Sequence, residues 1–159
     1  MPSQVLSEQS SCVQAFASLL HAHAAVTRRL SAQLTADHGL TISDFEVLLR
    51  LARAPDRRMR RVDLAQQVVL TASGVTRLLD GLERSGYVER DSCASDRRVV
   101  YAVLTDAGLA KVAEASASHF AQVDEMFGAR LEEAELDELA SLLSRLGETD
   151  VELPCEPAA

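Results

Sequence analysis

Hydrogen-bonding side chains and guanidinium groups cluster along one predicted helix after residue 71. The apolar residues of this helix recur at helical spacing and are Val75, Leu78, Leu79 and Leu82. The opposite face carries Ser73, Thr76 and Arg77, with Asp80 one turn further on. A guanidinium group can form two parallel hydrogen bonds to guanine, whereas hydroxyl groups discriminate weakly between bases. If the helix enters a major groove, Ser73, Thr76 and Arg77 are the candidates for base readout.

A hairpin with an arginine-bearing tip is predicted directly after this helix. Gly86 ends the helix, because glycine tolerates the left-handed conformation of a C-terminal cap. Residues 87–90 and 99–104 are rich in β-branched and aromatic residues, which predicts two short strands. The polar segment between them carries Arg97 and Arg98. A helix, a tight turn and a two-stranded ribbon in this order are typical of a winged helix-turn-helix.

The ribbon carries a specific pattern, Asp-x-Arg followed after five residues by Leu-Thr. Asp96, Arg98, Leu104 and Thr105 fill this pattern without a gap. Because the pattern follows a leucine-rich helix, the chain resembles the MarR family (multiple antibiotic resistance regulators), and the order of elements agrees over residues 10–147. The resemblance implies a transcription regulator that binds double-stranded DNA at an inverted-repeat operator as a homodimer.

The resemblance also assigns roles within the wing. It places Arg98 in the minor groove beside the recognition helix. Asp96 would hold an arginine in place by a charge-assisted hydrogen bond. Arg97 is an alternative to Arg98, because adjacent residues of a strand point to opposite faces. A wing that serves only as a stabilising hairpin is the other interpretation.

The predicted fold is mostly α, an α+β winged helix-turn-helix core with N- and C-terminal dimerisation helices. A chain of 159 residues fits one such domain between two flexible ends. The expected limits are 1–9 for the flexible N-terminus, 10–147 for the MarR-like domain, about 43–105 for the winged helix-turn-helix, about 10–36 and 106–146 for the dimerisation helices, and 148–159 for the flexible acidic tail.

Local patterns predict where two of the helices begin. Ser43 and Glu46 match a capping box ahead of an apolar run, so a second helix is expected from there to about Ala52. Thr71 is the expected N-cap of the helix that carries Arg77.

The fifth and sixth predicted helices carry seams of residues spaced by three and four positions. These positions are 109, 113, 116, 120, 123 and 127 in the fifth helix and 136, 139, 143 and 146 in the sixth. Such seams on a chain that already has a helical core favour association between two subunits. Packing within one chain is the alternative.

The net charge of −8 at pH 7 is unevenly distributed. Residues 50–101 hold 11 arginines and 7 acidic residues, whereas 102–159 hold 3 basic and 13 acidic residues. The basic part coincides with the predicted helix and wing. Arg60 and Arg61 are therefore expected to contact phosphates, with a solvated loop as the alternative. They also stand where many relatives carry a small hydroxyl residue, which predicts that the start of the third helix is poorly capped or shifted by one residue.

Relatives of this family often bind small aromatic acids, which lowers their affinity for DNA. The resemblance therefore implies a repressor that a small aromatic or phenolic effector releases from DNA. His23 lies seven residues after Phe16, on nearly the same helical face, and is one candidate contact, although a hydrogen-bonded core histidine is the alternative. Arg28 and Arg50 could pair with a carboxylate.

Oxidant sensing through a thiol is an alternative function. Cys12, Cys93 and Cys155 are widely spaced, which fits reduced thiols better than a disulfide framework. Peroxide-sensing relatives carry a reactive thiol near the start of the first helix, but the matching position here falls near Ala17. Arginines close to Cys93 could favour its thiolate. An incidental surface thiol is the other interpretation.

Other classes of function find no support in the residue pattern. The four histidines are scattered, so neither a metal nor a cofactor is expected. The chain has no nucleophile elbow, phosphate loop or His-Glu-x-x-His motif, so an enzyme is not expected. Without a long apolar stretch or a secretory signal, a cytoplasmic location without membrane attachment is expected. A winged helix that binds only proteins is the alternative from another class.

Overall fold

The computed structural model describes residues 10–68, 72–92 and 99–146. The chain divides after His119 into two units. The mostly helical winged helix-turn-helix predicted from the sequence is confirmed. The elements are α1 (Ser11–His38), α2 (Ile42–Arg53), a short 3-10 helix (Pro55–Arg57), β1 (Arg58–Arg60), α3 (Arg61–Gln67), α4 (Ala72–Arg84), β2 (Val88–Ser92), β3 (Val100–Leu104), α5 (Asp106–Gly128) and α6 (Glu133–Ser144).

The antiparallel sheet has three strands in the order β1-β3-β2, whereas the sequence predicted a two-stranded ribbon. β1 pairs with β3, so that Arg58 lies opposite Val103 and Arg60 opposite Tyr101. A run of three residues, Arg-Met-Arg, has no recognisable strand pattern. The Arg58 guanidinium lies over the Tyr101 ring, 4.0 Å from its centre, and makes a cation–π contact between β1 and β3.

The first strand of the wing is longer than predicted. β2 extends to Ser92, since Asp91 pairs with Tyr101 and Ser92 with Val100. These two polar residues were predicted to belong to the loop, but the backbone ladder continues regardless of side-chain polarity. Gly86 has a φ of 75°, which confirms the predicted left-handed turn between α4 and the wing.

The predicted capping box of α2 is wrong by two residues. The helix begins at Ile42, and the box is formed by Thr41 and Asp44. The Asp44 carboxylate accepts from the backbone N–H of Thr41 at 2.9 Å, and the Thr41 hydroxyl accepts from the N–H of Asp44 at 3.1 Å. Glu46 instead accepts from the Arg50 guanidinium one turn later, at 2.9 Å.

Other helix ends agree more closely with the sequence. α1 continues two residues beyond the predicted end at 36, to His38, and Gly39 closes it with a φ of 65°. α3 begins after Arg60, whose side chain makes no capping hydrogen bond, so the poorly capped start is confirmed. Thr71, the predicted N-cap of α4, lies outside the described residues.

One hydrophobic core in the first unit holds α2, α3, α4 and the sheet together. Its largest fully buried side chains are Leu34, Leu48, Leu51, Leu64, Val47, Val75 and Val88. The inner stripe of α4 belongs to this core, which fixes the direction in which the outer face of the helix points. In the described part of the chain, no helix is both long and apolar enough to cross a membrane.

The first half of α5 buries a different stripe from the predicted seam. Gly108, Val112, Ala115 and His119 are buried, whereas the seam positions 109, 113 and 116 are half-buried or exposed. The buried stripe is hard to recognise in the sequence because it consists of small residues and a histidine.

The second unit contains the end of α5 and all of α6. A capping box begins α6, in which the backbone N–H of Glu132 donates to the Glu135 carboxylate at 2.9 Å. Leu136 and Leu139 are half-buried, whereas Leu143 and Leu146 are exposed. The leucine seam predicted for this helix therefore remains largely accessible in the single chain.

Candidate nucleic-acid interface

The outer face of α4 presents polar side chains over a fully apolar inner stripe. Val75, Leu79 and Leu82 are buried. Ser73 and Arg77 are exposed, one turn apart on the opposite side. Among the described residues, Arg77 has no ion-pair partner, so its guanidinium is available to an external acceptor.

Thr76 is tied to the preceding helix. The Arg61 guanidinium donates to the Thr76 hydroxyl oxygen at 2.6 Å, and both residues are half-buried. This contact joins the start of α3 to the first turns of α4, the two helices of the helix-turn-helix. Arg61 is therefore placed to fix the angle between these helices, which the sequence did not predict.

Arg60, predicted to contact phosphate, is held by Asp63. Its Nε and Nη2 atoms donate to the two carboxylate oxygens at 2.6 and 2.9 Å. The hydrogen bond and the charge of Asp63 raise the pKa of Arg60 above its ordinary value. The pair is exposed, so an approaching phosphate would compete with Asp63 in water for this guanidinium.

A groove of about 340 Å³ lies between α3, α4 and the base of the wing. Apolar side chains line most of it, and Arg60 and Arg61 stand at its margin beside Thr76. Val99 and Val100 contribute the wall formed by the wing. The start of α4 and the described base of the wing are thus adjacent in the fold.

Two arginines attach the wing to its neighbours through three ion pairs. Arg58 of β1 contacts Asp91 of β2 at 3.2 Å. Arg90 of β2 contacts Glu83 of α4 at 2.7 Å and also pairs with Asp80. The strand that leads to the wing tip is therefore attached to the sheet on one side and to α4 on the other.

The Leu-Thr end of the wing pattern has a structural role. Leu104 is buried in the core. The Thr105 hydroxyl donates to the carbonyl oxygen of Gly86 at 2.7 Å and accepts from the N–H of Gly108 at 3.0 Å. Thr105 thus joins the turn before the wing to the first turn of α5. The other end of the pattern, with Asp96, Arg97 and Arg98, lies outside the described residues.

The basic segment is less available to a polyanion than its composition suggests. Among the arginines of residues 50–101 that the structure describes, five are ion-paired within the chain, namely Arg50 with Glu46, Arg57 with Asp106, Arg58 with Asp91, Arg60 with Asp63, and Arg90 with Asp80 and Glu83. The Arg57–Asp106 pair joins residues 49 positions apart in sequence, at 2.8 Å. A local count of charges cannot reveal such pairs.

The predicted effector contacts are not brought together by any described hydrogen bond or ion pair. His23 and Arg28 lie exposed on α1. Arg50 lies on α2, where it contacts Glu46 at 2.9 Å and Gln67 at 3.3 Å. Among the candidate thiols, Cys12 is exposed in the first turn of α1, and Cys93 and Cys155 lie outside the described residues.

A polar cluster between α1 and α5 was missed by the sequence analysis. His38 Nε2 lies 2.6 Å from the Ser118 hydroxyl, which also accepts from Gln33 at 3.1 Å. Beside it, the buried His119 ring lies 4.6 Å from the ring of Phe45. Burial lowers the pKa of His119. The only sequence signal is a histidine at each of two positions that are 81 residues apart.

Comparison with known proteins agrees with this geometry. A family model described as the MarR family matches residues 40–100, from before α2 to the first residue of β3. The crystal structure of AbsC, a MarR family transcriptional regulator from Streptomyces coelicolor, superposes with a TM-score of 0.79, is 30% identical and covers 88% of this chain and 95% of that chain. The chain belongs to the MarR family.

Two further relatives of this MarR-family chain bear on its function. Sco3205, a MarR family transcriptional regulator from Streptomyces coelicolor solved in complex with DNA, is 27% identical, with a TM-score of 0.81 and 88% coverage of each chain. The HTH-type transcriptional repressor YetL of Bacillus subtilis is 34% identical over 88 residues, which are 55% of this chain. The matched segment spans about half of YetL, 53% of its length.

Proposed function

We propose that this MarR-family chain is a transcriptional regulator that binds duplex DNA as a homodimer and represses its targets. The outer face of α4 carries the proposal, since an exposed guanidinium at Arg77 and the Ser73 hydroxyl stand on a helix anchored by a buried apolar stripe. Helices of this kind enter the major groove with their N-terminal residues against the bases. The structure of Sco3205 in complex with DNA supports DNA binding, and the name of YetL, a transcriptional repressor, supports repression.

Within this proposal, the contacts fall into two classes. Ser73, Thr76 and Arg77 face base edges, with Thr76 oriented by Arg61. Arg98, or Arg97 in its place, enters the minor groove, and Asp96 supports the wing arginine. Arg60 exchanges its bond to Asp63 for a phosphate. The exchange costs little because the Arg60–Asp63 pair is exposed to solvent.

Dimer formation is part of the proposal, because α1 and α6 leave apolar side chains exposed in the single chain. On α1 these are Val13, Phe16, Leu19 and Leu20, and at the end of α6 and just after it they are Leu142, Leu143 and Leu146. Exposed apolar residues at this density are typical of surfaces that a partner covers. A homodimer would place two copies of α4 about 34 to 36 Å apart, which matches successive major grooves. Binding to a chromosomal operator would also place the protein in the cytoplasm.

Release by a small aromatic or phenolic effector remains a proposal, with His23, Arg28 and Arg50 as its candidate contacts. Oxidant sensing is the second candidate, supported by the exposure of Cys12. Replacing Cys12, Cys93 and Cys155 together by serine tests that candidate. If an organic peroxide releases the wild type but not the triple variant from DNA, the thiol mechanism replaces the effector mechanism.

The main test is binding of the purified protein to a duplex from the region upstream of its own gene, with an unrelated duplex of equal length as control. We expect tighter binding to the upstream duplex. The logarithm of the binding constant should fall linearly with the logarithm of the salt concentration, with a slope of roughly −0.9 for each phosphate contacted. An absence of salt-dependent binding to either duplex would contradict the proposal. It would favour a winged helix that binds only proteins.

A further inference from the structure

Two carboxylates stand beside the residues proposed to read DNA. Asp80 follows Thr76 by four residues and Arg77 by three, so it lies one turn further along the same side of α4. Glu83 follows after another turn. Arg77, Asp80, Glu83 and Arg84 line a groove of about 440 Å³ on this face. A recognition helix that approaches a polyanion therefore carries two negative charges beyond its base-reading residues, Asp80 one turn and Glu83 two turns after Arg77.

These carboxylates oppose DNA binding unless their charge is compensated. A rise of about 1.5 Å per residue places Asp80 within one helical turn of Arg77. A phosphate bound near Arg77 would therefore lie within about one Debye length of Asp80, about 10 Å at 0.1 M salt, so salt screens their repulsion only in part. An uncompensated Asp80 could also capture the Arg77 guanidinium by an i, i+3 ion pair.

Arg90 supplies a compensating charge from outside the helix. Its Nε atom lies 2.7 Å from Oε2 of Glu83, and its Nη2 atom donates to Oδ1 of Asp80. The residue lies on β2 opposite Ala102, so one guanidinium from the wing bridges two carboxylates of α4. All three side chains are 40–45% exposed. Such exposed pairs add little to folding stability, which leaves the function of this bridge to be sought elsewhere.

We infer that Arg90 is a positioning residue for DNA recognition, which masks one of the two negative charges of Asp80 and Glu83 and so leaves Arg77 free to reach a base. The inference rests on the proposed function. It differs from two other roles for Arg90. As a strut, Arg90 would matter because it attaches the wing to α4. As a ligand, it would contact a phosphate directly. The three roles predict different effects of neutralising the carboxylates.

The experiment compares the wild type with Arg90→Ala, Arg90→Lys, the double variant Asp80→Asn/Glu83→Gln, and the triple variant that combines this double change with Arg90→Ala. Affinity for the upstream duplex is measured at low and moderate salt, and circular dichroism and thermal melting check folding. We expect Arg90→Ala to bind roughly tenfold more weakly at low salt. The double variant should bind as tightly as the wild type or more tightly, and the triple variant should recover most of the loss. Arg90→Lys should retain most of the affinity, because masking depends on charge.

Each other outcome contradicts the inference in a distinct way. If the double variant binds as weakly as Arg90→Ala, the bridge is a strut. If the triple variant stays as weak as Arg90→Ala, Arg90 is a DNA ligand. If Arg90→Ala does not fold, weaker binding by the double variant or by Arg90→Lys would still overturn the inference, because masking requires that neither weakens binding substantially. A wild type without salt-dependent binding would instead overturn the proposed function itself.

Discussion

Arg77 is the arginine of α4 best placed to read a base, because it is exposed, has no ion-pair partner among the described residues and lies in the first half of the helix, whereas Arg84 ends it. Arg77→Ala should weaken binding to the specific duplex by on the order of 1 to 3 kcal/mol, the value of a bidentate contact to guanine. Binding to an unrelated duplex should change much less. Fluorescence anisotropy with both duplexes measures the ratio of the two affinities. An equal loss on both duplexes would reassign Arg77 to phosphate contact.

The wing arginine should behave in the opposite way. Arg98→Ala should weaken binding to specific and unrelated duplexes almost equally, because a minor-groove arginine acts mainly through electrostatics and groove width. The slope of the logarithm of the binding constant against the logarithm of the salt concentration should decrease in magnitude by about one, the contribution of one phosphate contact. If Arg98→Ala binds like the wild type while circular dichroism reports intact folding, the role belongs to Arg97, and Arg97→Ala is the next variant to measure.

His119 should make the stability of the fold depend on pH. Burial lowers the pKa of His119, so the unfolded chain takes up a proton at a higher pH than the folded chain. The free energy of unfolding should therefore fall as the pH drops below about 6.5, the ordinary pKa of histidine. Urea denaturation about one unit above and one unit below that value measures the change. His119→Gln should reduce it, whereas His23→Gln, on the exposed face of α1, should not. If the free energy of unfolding depends on pH equally in the two variants, the dependence belongs to groups other than His119.

At the scale of elements, the two overlapping capping patterns of α2 give a direct test of the observed helix start. Thr41→Ala removes the acceptor for the N–H of Asp44 and one partner of its carboxylate, and should cost about 1 kcal/mol of unfolding free energy. Ser43→Ala, at the position predicted from the sequence, should stay within about 0.5 kcal/mol of the wild type. Urea denaturation of both variants decides, and a larger loss for Ser43→Ala would restore the sequence-based cap.

Two helical glycines should respond to alanine with opposite signs. A Cβ atom at Gly108 would overlap the carbonyl oxygen of Tyr87 and lie 2.7 Å from Cδ1 of Leu104. Gly108→Ala should therefore destabilise the fold by about 1 to 3 kcal/mol. Gly81 in α4 has nothing within 4 Å of such an atom, so Gly81→Ala should stabilise by about 1 kcal/mol through helix propensity. Thermal melting of the pair checks both signs, and a stabilised Gly108→Ala would contradict the close packing of α5 on the wing.

The elements that the sequence predicted well are those with a strong local signal. α4 and the two wing strands follow from a helical leucine stripe, a left-handed glycine and β-branched runs. The α2 cap was misplaced because Thr41 with Asp44 and Ser43 with Glu46 are equally good local patterns. The choice between them depends on where the core begins, at the buried Leu40. β1 was missed because three residues acquire a strand conformation only by pairing with β3, more than 40 residues later.

The candidate site was predicted less completely than the fold. Ser73, Thr76 and Arg77 could be chosen from helical periodicity alone. The partners of the arginines could not, since Arg58 with Asp91 and Arg90 with Asp80 and Glu83 are pairs that only the folded wing creates. As a result, the count of positive charges near the wing overstated the charge that is free to meet a phosphate.

At the scale of the whole molecule, the exposed apolar side chains of α1 predict a dimer of twice the 17.2 kDa chain mass. Phe16 is 61% exposed in the single chain. Phe16→Asp should dissociate the dimer, because an aspartate at a covered apolar surface would be buried without a partner. Val62→Asp is the matched control, since Val62 is 62% exposed but lies on α3, outside the proposed dimer surface. Sedimentation velocity at micromolar concentration should find a monomer only for Phe16→Asp.

Binding to a palindromic duplex should weaken together with the loss of the dimer, because two linked copies of α4 bind with higher avidity than one. A wild-type monomer that binds such a duplex with full affinity would refute the dimer and the spacing of the recognition helices derived from it.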